Sequence, residues 1–317
     1  MKFLLTAINA KFIHSNPAIY SLRAGVGEKL QPYVELAEFT INESLESILE
    51  GIWKRQPKVI GFSCYIWNWK LIREILTELP KILPDTEIWL GGPEVTYDGP
   101  GLLSEFPQVT GIMVGEGEVT FREVLGQYVR EAESTGQSEQ QPEPDSIEQQ
   151  AADRTGTLAG KSVAERFGQI PGLCLASGYT APRELTDLTT LPFLYEDMEP
   201  FTNRIIYYET SRGCPYRCSY CLSSIDKKVR LRDIDVVKRE LQFFLDQNVK
   251  QVKFIDRTFN CDHKHAMEIW EYIYKHDNGV TNFHFEISAD ILREEEIVLL
   301  NRFRPGLAQL EIGVQST

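Results

Sequence analysis

Short apolar runs alternate with amphipathic stretches over the first 133 residues, and this alternation constrains the fold more than any other feature. Residues 2–9, 34–41, 59–66, 87–91 and 111–115 read as strands. Residues 17–30, 44–56, 67–83 and 119–133 read as helices, with a short one over 100–106. Each expected helix is long enough to be a crossover between parallel strands, so the pattern predicts an α/β sheet covered on both faces. Five such strands suit a flavodoxin-like doubly wound sheet. That architecture takes ligands at the carboxyl ends of its strands. Here those ends are Asn9-Ala10-Lys11, Ser63-Cys64-Tyr65, Gly91-Gly92-Pro93 and Gly115-Glu116-Gly117-Glu118.

The chain has 317 residues, which suggests about two domains. Its net charge is -13, and it shows no basic stripe, which argues against a nucleic-acid partner. No apolar run has the length of a membrane span, so no membrane partner is expected. Residues 131–153 hold seven acidic residues and no Lys or Arg. That composition buries too little apolar surface to fold, so residues 134–165 read as an acidic, disordered linker or insertion. Residues 166–203 read as a bridge with room for a small hairpin. The alternation then resumes, with strands expected at 204–210, 251–255, 282–288 and 308–314 and helices at 233–247, 262–276 and 294–302. The domain organisation expected is therefore 1–133, a linker, a bridge, and a second parallel sheet over 204–317. Asp233 and Asp262 stand where helix N-caps belong.

Three of the six cysteines fall within eight residues, as Cys214-Pro215-Tyr216-Arg217-Cys218-Ser219-Tyr220-Cys221. A secreted disulfide framework would spread its pairs, so this spacing favours a reducing cytoplasm and a metal or cluster role. Gly213 and Pro215 oppose a helix here and favour a loop wrapped around something. Three thiolates can hold three irons of a cubane cluster and leave the fourth open. Zinc is the alternative, with Cys261, His263 or His265 completing a tetrahedral set. A redox disulfide is a third reading.

The loop, with an aromatic residue before its last cysteine and placed after the first strand of a βα series, resembles the radical S-adenosylmethionine enzymes. Phe254-Ile255-Asp256-Arg257-Thr258-Phe259-Asn260, Phe285-Glu286-Ile287-Ser288 and Glu311-Ile312-Gly313-Val314-Gln315-Ser316 agree in order and spacing. The resemblance implies a partial (β/α) barrel. It implies a [4Fe–4S] cluster on Cys214, Cys218 and Cys221, with S-adenosylmethionine on its open iron. Tyr220 would pack near the cluster and adenine. Glu286 and Gln315 would serve the ribose or amino-acid part of S-adenosylmethionine. Asp256 stands where many members carry a Gly-Gly-Glu motif, absent here, and is the candidate to replace its contact with the methionine amino group.

Many such enzymes carry an N-terminal cobalamin-binding domain, and Ser63, Gly91, Gly92, Gly115 and Glu116 resemble its contact positions. The usual Asp-x-His-x-x-Gly signature is replaced by Asn9-Ala10-Lys11-Phe12-Ile13-His14. Lys11 would occupy the axial histidine's place, and a protonated Lys cannot coordinate cobalt. Cobalamin without a protein histidine ligand is expected. The resemblance implies cleavage of S-adenosylmethionine to a 5′-deoxyadenosyl radical, an external low-potential electron donor, and methyl transfer to an unactivated carbon of an unknown small-molecule substrate. Two alternatives accompany it: an enzyme whose first domain recognises substrate without cobalamin, and a non-catalytic cluster-binding fragment. Only four strands of the expected barrel precede Thr317, so a C-terminal truncation and an open edge at the last strand are also expected.

Overall fold

The computed structural model describes residues 1–134, 161–226 and 228–314. The acidic stretch therefore lies almost wholly outside the described residues. Among the described residues no helix is long and apolar enough to cross a membrane. The chain divides into two compact units, one of residues 1–12 and 16–186, the other of 13–15 and 187–317.

The first unit runs β1 (Phe3–Asn9), α1 (Pro17–Gly25), β2 (Val34–Thr40), α2 (Leu45–Trp53), β3 (Val59–Ser63), α3 (Trp69–Ile82), β4 (Glu87–Gly91), α4 (Gly99–Glu105), β5 (Val109–Met113), α5 (Gly117–Ser134), α6 (Val163–Phe167), β6 (Leu173–Leu175) and β7 (Gly178–Tyr179). The sheet order is β2-β1-β3-β4-β5-β6-β7. The first five strands are parallel and carry the flavodoxin-like order, while β6 and β7 add an antiparallel hairpin at the edge. All seven residues of β1 are buried, as expected of a central strand covered on both faces. One apolar layer gathers Leu4, Ile8, Ile60, Ile72 and Leu79. The other gathers Phe3, Leu5, Phe121, Tyr128 and Phe167. The residues read as a bridge are thus shared: the hairpin belongs to the first unit, and the second begins at Asp187.

Two expected elements stop early. α1 ends at Gly25 because the chain turns at Gly27, whose φ is +77°. β3 ends at Ser63 because Cys64–Trp67 swing out to begin α3, with Tyr65 N–H donating to the Asn68 side chain.

The second unit runs β8 (Ile206–Tyr208), β9 (Ser211–Arg212), β10 (Arg230–Leu231), α7 (Ile234–Asp246), β11 (Gln251–Phe254), α8 (His263–Lys275), β12 (Asn282–Ile287), α9 (Glu294–Leu300) and β13 (Ala308–Ile312). β8, β11, β12 and β13 form a parallel sheet in chain order, which is the arrangement of successive βα units. Asp233 and Asp262 cap α7 and α8 as expected, accepting from Val236 N–H and His265 N–H. Phe254, Phe283 and Phe285 point to the helix-covered face and are fully buried. Alternate residues Tyr207, Lys253, His284 and Glu286 line the other face. β13 is the terminal strand of this sheet among the described residues, and Ile312 is 46% exposed there.

Candidate functional site: a three-thiol loop and a sheet switch point

The cysteine loop hangs from the carboxyl end of β8 and has a preformed base. β9 pairs antiparallel with β10, which closes the segment between them. Gly213 opens the loop at φ +99°, and a Cβ there would stand 2.4 Å from the Lys228 carbonyl oxygen. Only glycine fits that position. Cys214 N–H donates to the Asp226 carbonyl at 3.1 Å, and Arg230 pairs with the Asp226 carboxylate at 2.9 Å. Arg212, just before the loop, is engaged with Glu209.

The three thiols are unbridged but differ in environment: Cys214 is buried, Cys221 half-buried and Cys218 exposed. Cys214 Sγ lies 3.5 Å from Thr258 Oγ1, on the segment that follows β11. Tyr220 is exposed beside Cys218, and the neighbouring thiolate raises its hydroxyl above the ordinary tyrosine range. Unbridged thiols on one loop with a fixed base are the donor set that iron–sulfur clusters take. A single zinc ion would hold its sulfurs about 2.3 Å away. Among the described residues no three His, Cys, Asp or Glu side chains stand close enough to share one ion, the three loop thiols included. His263 instead pairs with buried Glu296 at 2.8 Å.

Cys261 is half-buried on the turn after β11, and burial pushes its thiol up to about 11. Thiolate is the reactive form, so the metal-free protein at pH 8 should alkylate Cys261 at least about tenfold more slowly than Cys218. Mass-spectrometric mapping of iodoacetamide labelling checks this. Equal rates would contradict the burial of Cys261.

Asp256 does not stand open as the sequence suggested. Asp256 is 1% exposed. Its carboxylate accepts from Thr210 N–H at 3.1 Å, Thr210 Oγ1 at 2.6 Å and Ser211 Oγ at 2.6 Å. It is committed to the chain rather than presented to a ligand. Glu286 is half-exposed and pairs with Lys253 at 3.4 Å. Gln315 lies outside the described residues.

In the first unit the switch point lies between β1 and β3, where crossovers depart in opposite directions. Ser63 and Gly91 are register partners at the ends of β3 and β4, and Gly92 and Gly115 follow β4 and β5. Ser63 Oγ accepts from Asn16 Nδ2 at 3.3 Å, which leaves its own hydroxyl hydrogen to donate. A Cβ on Gly115 would meet no heavy atom within 4 Å, so the backbone there is open to a close-approaching ligand. Glu116 is engaged: its carboxylate accepts from Thr186 N–H at 2.6 Å. Lys11 is exposed, and His14 belongs to the second unit, where its Nδ1 hydrogen-bonds the Tyr207 hydroxyl. Cys64 is fully buried, which holds its thiol protonated and inert.

Sequence reasoning missed Asn68. It is wholly buried and its side-chain amide donates to Ile8 O at 3.0 Å and Ser63 O at 2.9 Å, tying the ends of β1 and β3. It also missed Glu38, which accepts from Asn9, Asn16 and Tyr20. A polar residue among apolar neighbours was the available signal for both.

Comparison with known proteins bears on both units. The B12 binding domain family matches residues 4–125, and the radical SAM superfamily matches residues 208–317. The 2-(S-pantetheinyl)-carbapenam-3-carboxylate methyltransferase of Streptantibioticus cattleyicolor is 27% identical over 228 residues, covering 68% of this chain and 29% of that one. The anaerobic magnesium-protoporphyrin IX monomethyl ester cyclase of Rubrivivax gelatinosus is 24% identical over 287 residues, covering 86% of this chain and 46% of that one. The structure of the cobalamin-dependent S-adenosylmethionine radical enzyme OxsB, with aqua-cobalamin and S-adenosylmethionine bound, superposes with a TM-score of 0.70 at 17% identity. That superposition covers 99% of this chain and 44% of OxsB. The chain thus spans less than half the length of these relatives. The B12 match disfavours a first unit that works without cobalamin. With a flavodoxin-like sheet matched as a B12 binding domain and a parallel βα sheet matched as radical SAM, the chain belongs to the cobalamin-binding radical S-adenosylmethionine enzymes.

Proposed function

We propose that Cys214, Cys218 and Cys221 ligate a [4Fe–4S] cluster, and that the protein acts as a cobalamin-dependent methyltransferase on an unactivated carbon of a small molecule. The observation that carries this reading is the loop itself: three thiols outside any disulfide, with a closed base, at the carboxyl end of the first strand of a parallel βα sheet. When bound, the cluster and S-adenosylmethionine supply a 5′-deoxyadenosyl radical, and cobalamin supplies a transferable methyl group.

The chain's residues hold and orient. Cys214 is the fixed member of the thiol set, and Cys218 and Cys221 close from the exposed tip. Tyr220 would flank the cluster from beside Cys218. Glu286, half-exposed near a strand end and paired with Lys253, would accept hydrogen bonds from the ribose or amino-acid part of S-adenosylmethionine. Gln315 would act in the same region. In the first unit, Ser63 would donate to the tail of cobalamin. Gly91 and Gly115 would let that tail approach the backbone, whereas the Cys64 backbone fills the space beside Gly92. Glu116 acts through Thr186 rather than by direct contact. No side chain on the β1 loop is proposed as a cobalt ligand, because Lys11 cannot coordinate and His14 is engaged. An external low-potential donor supplies the electron, and a reducing cytoplasm suits the unbridged thiols.

Anaerobic incubation of the reconstituted protein with S-adenosylmethionine and dithionite tests the reading. Formation of 5′-deoxyadenosine, dependent on both dithionite and the cluster, is expected. A protein that carries its cluster and yields none would be a cluster-binding fragment rather than an enzyme.

A further inference from the structure

We propose that Asp256 is a positioning residue that sets the base of the cysteine loop, and so fixes Cys214 before any cluster is present. This rests on the reading of Cys214, Cys218 and Cys221 as cluster ligands. The Asp256–Asn260 segment stands where related enzymes carry a Gly-Gly-Glu motif, and here its first residue faces the chain instead of a ligand. Asp256 is buried and takes three hydrogen bonds, all from Thr210 and Ser211. Those two residues lead directly into Arg212, Gly213 and Cys214. Two residues beyond Asp256, Thr258 Oγ1 touches Cys214 Sγ at 3.5 Å.

The same segment is tied on its other side. Asn260 is fully buried. Its amide donates to Ser288 O at 2.8 Å and accepts from Ser288 N–H at 2.9 Å. Tyr216, inside the cysteine loop, donates to Ser288 Oγ at 3.1 Å. The end of β11 therefore joins the ends of β8 and β12 through side chains, where parallel strands have no ladder left to hold them. Charge-assisted hydrogen bonds are the stronger kind, and all three Asp256 contacts are of that kind. One thiol is thereby preorganised, and the two on the exposed tip are left to close around iron. Site precision of this sort comes from supporting residues rather than from the ligands alone.

The test uses Asp256→Asn and, separately, the charge-conserving double variant Thr210→Val/Ser211→Ala. Both are reconstituted anaerobically with iron and sulfide alongside the wild type. Iron per chain, the EPR signal of the reduced protein, the cluster midpoint potential, and the melting of the metal-free protein are recorded. We expect Asp256→Asn to keep its secondary structure and load at most about half the wild-type iron, with part of it as a three-iron signal. Its midpoint should move upward, because removing a buried negative charge favours the reduced cluster. The double variant should also load less. Wild-type loading by a folded Asp256→Asn protein overturns the inference, as does reduced loading with an unshifted potential, which would assign Asp256 to folding alone. If Asp256→Asn does not fold, the double variant decides, and wild-type loading by it overturns the inference. A wild type that binds no cluster removes the underlying reading itself, which separates the two failures.

Discussion

Replacing Cys214, Cys218 and Cys221 with alanine together should abolish iron and sulfide binding and leave the first unit's cobalamin content unchanged. The three thiols sit on one loop whose base is formed by backbone pairing, a glycine and the Asp226 carbonyl, none of which uses a sulfur. Removing the sulfurs therefore deletes the ligands without deleting the loop. Singly, Cys214→Ala should cost the most cluster, because Cys214 is the buried member at the fixed base, whereas Cys218 is exposed on the tip. Visible absorption of the anaerobically reconstituted variants, with iron and sulfide assays, checks both the abolition and the order. Substantial cluster in the triple variant would move the ligands elsewhere in the chain.

Gly92→Ala should strongly destabilise the first unit. Gly92 holds φ +110° after β4, and a Cβ there would stand 2.5 Å from the Cys64 carbonyl oxygen and 3.1 Å from the Cys64 nitrogen. Both obstacles are backbone, on the adjoining strand end, so neither can swing aside. Backbone strain of about 1–3 kcal/mol and overpacking of about 1–3 kcal/mol act together, so a loss of roughly 2–6 kcal/mol is expected. Gly115→Ala is the control. Its φ is +81° but nothing stands within 4 Å, so only the backbone cost remains, about 1–2 kcal/mol. Urea denaturation followed by tryptophan fluorescence reads the difference, since Trp89 is buried on β4. Equal losses for the two variants would show that the Cys64 contact does not set the cost.

The expected strand–helix alternation matches the described fold closely because buried parallel strands must be continuous apolar runs. β1 and β3 stand out for that reason, and the caps Asp233 and Asp262 are equally local signals. The β6–β7 hairpin was less legible: its strands are three and two residues long, too short to show a period. The site was legible where chemistry is carried by residue type, as in the cysteine spacing and the glycines at strand ends. It was not legible where direction matters. Asp256 and Glu116 are acidic residues at ligand-facing strand ends, and sequence alone suggested ligand contact. The fold turns the Asp256 carboxylate onto Thr210 and Ser211, and the Glu116 carboxylate onto Thr186. Asn68 and Glu38 escaped notice because their partners lie up to 60 residues away in sequence. Such contacts exist only once the sheet order is known.

The central claim is that one chain holds an iron–sulfur cluster on its second unit and cobalamin on its first. Metal content tests it most directly. The protein is purified and reconstituted anaerobically with iron, sulfide and hydroxocobalamin, freed of excess, and assayed for iron, sulfide, cobalt and zinc. About four iron and four sulfide per chain are expected, as a cubane requires, together with about one cobalt. Zinc without sulfide, or iron without retained cobalt, would contradict it.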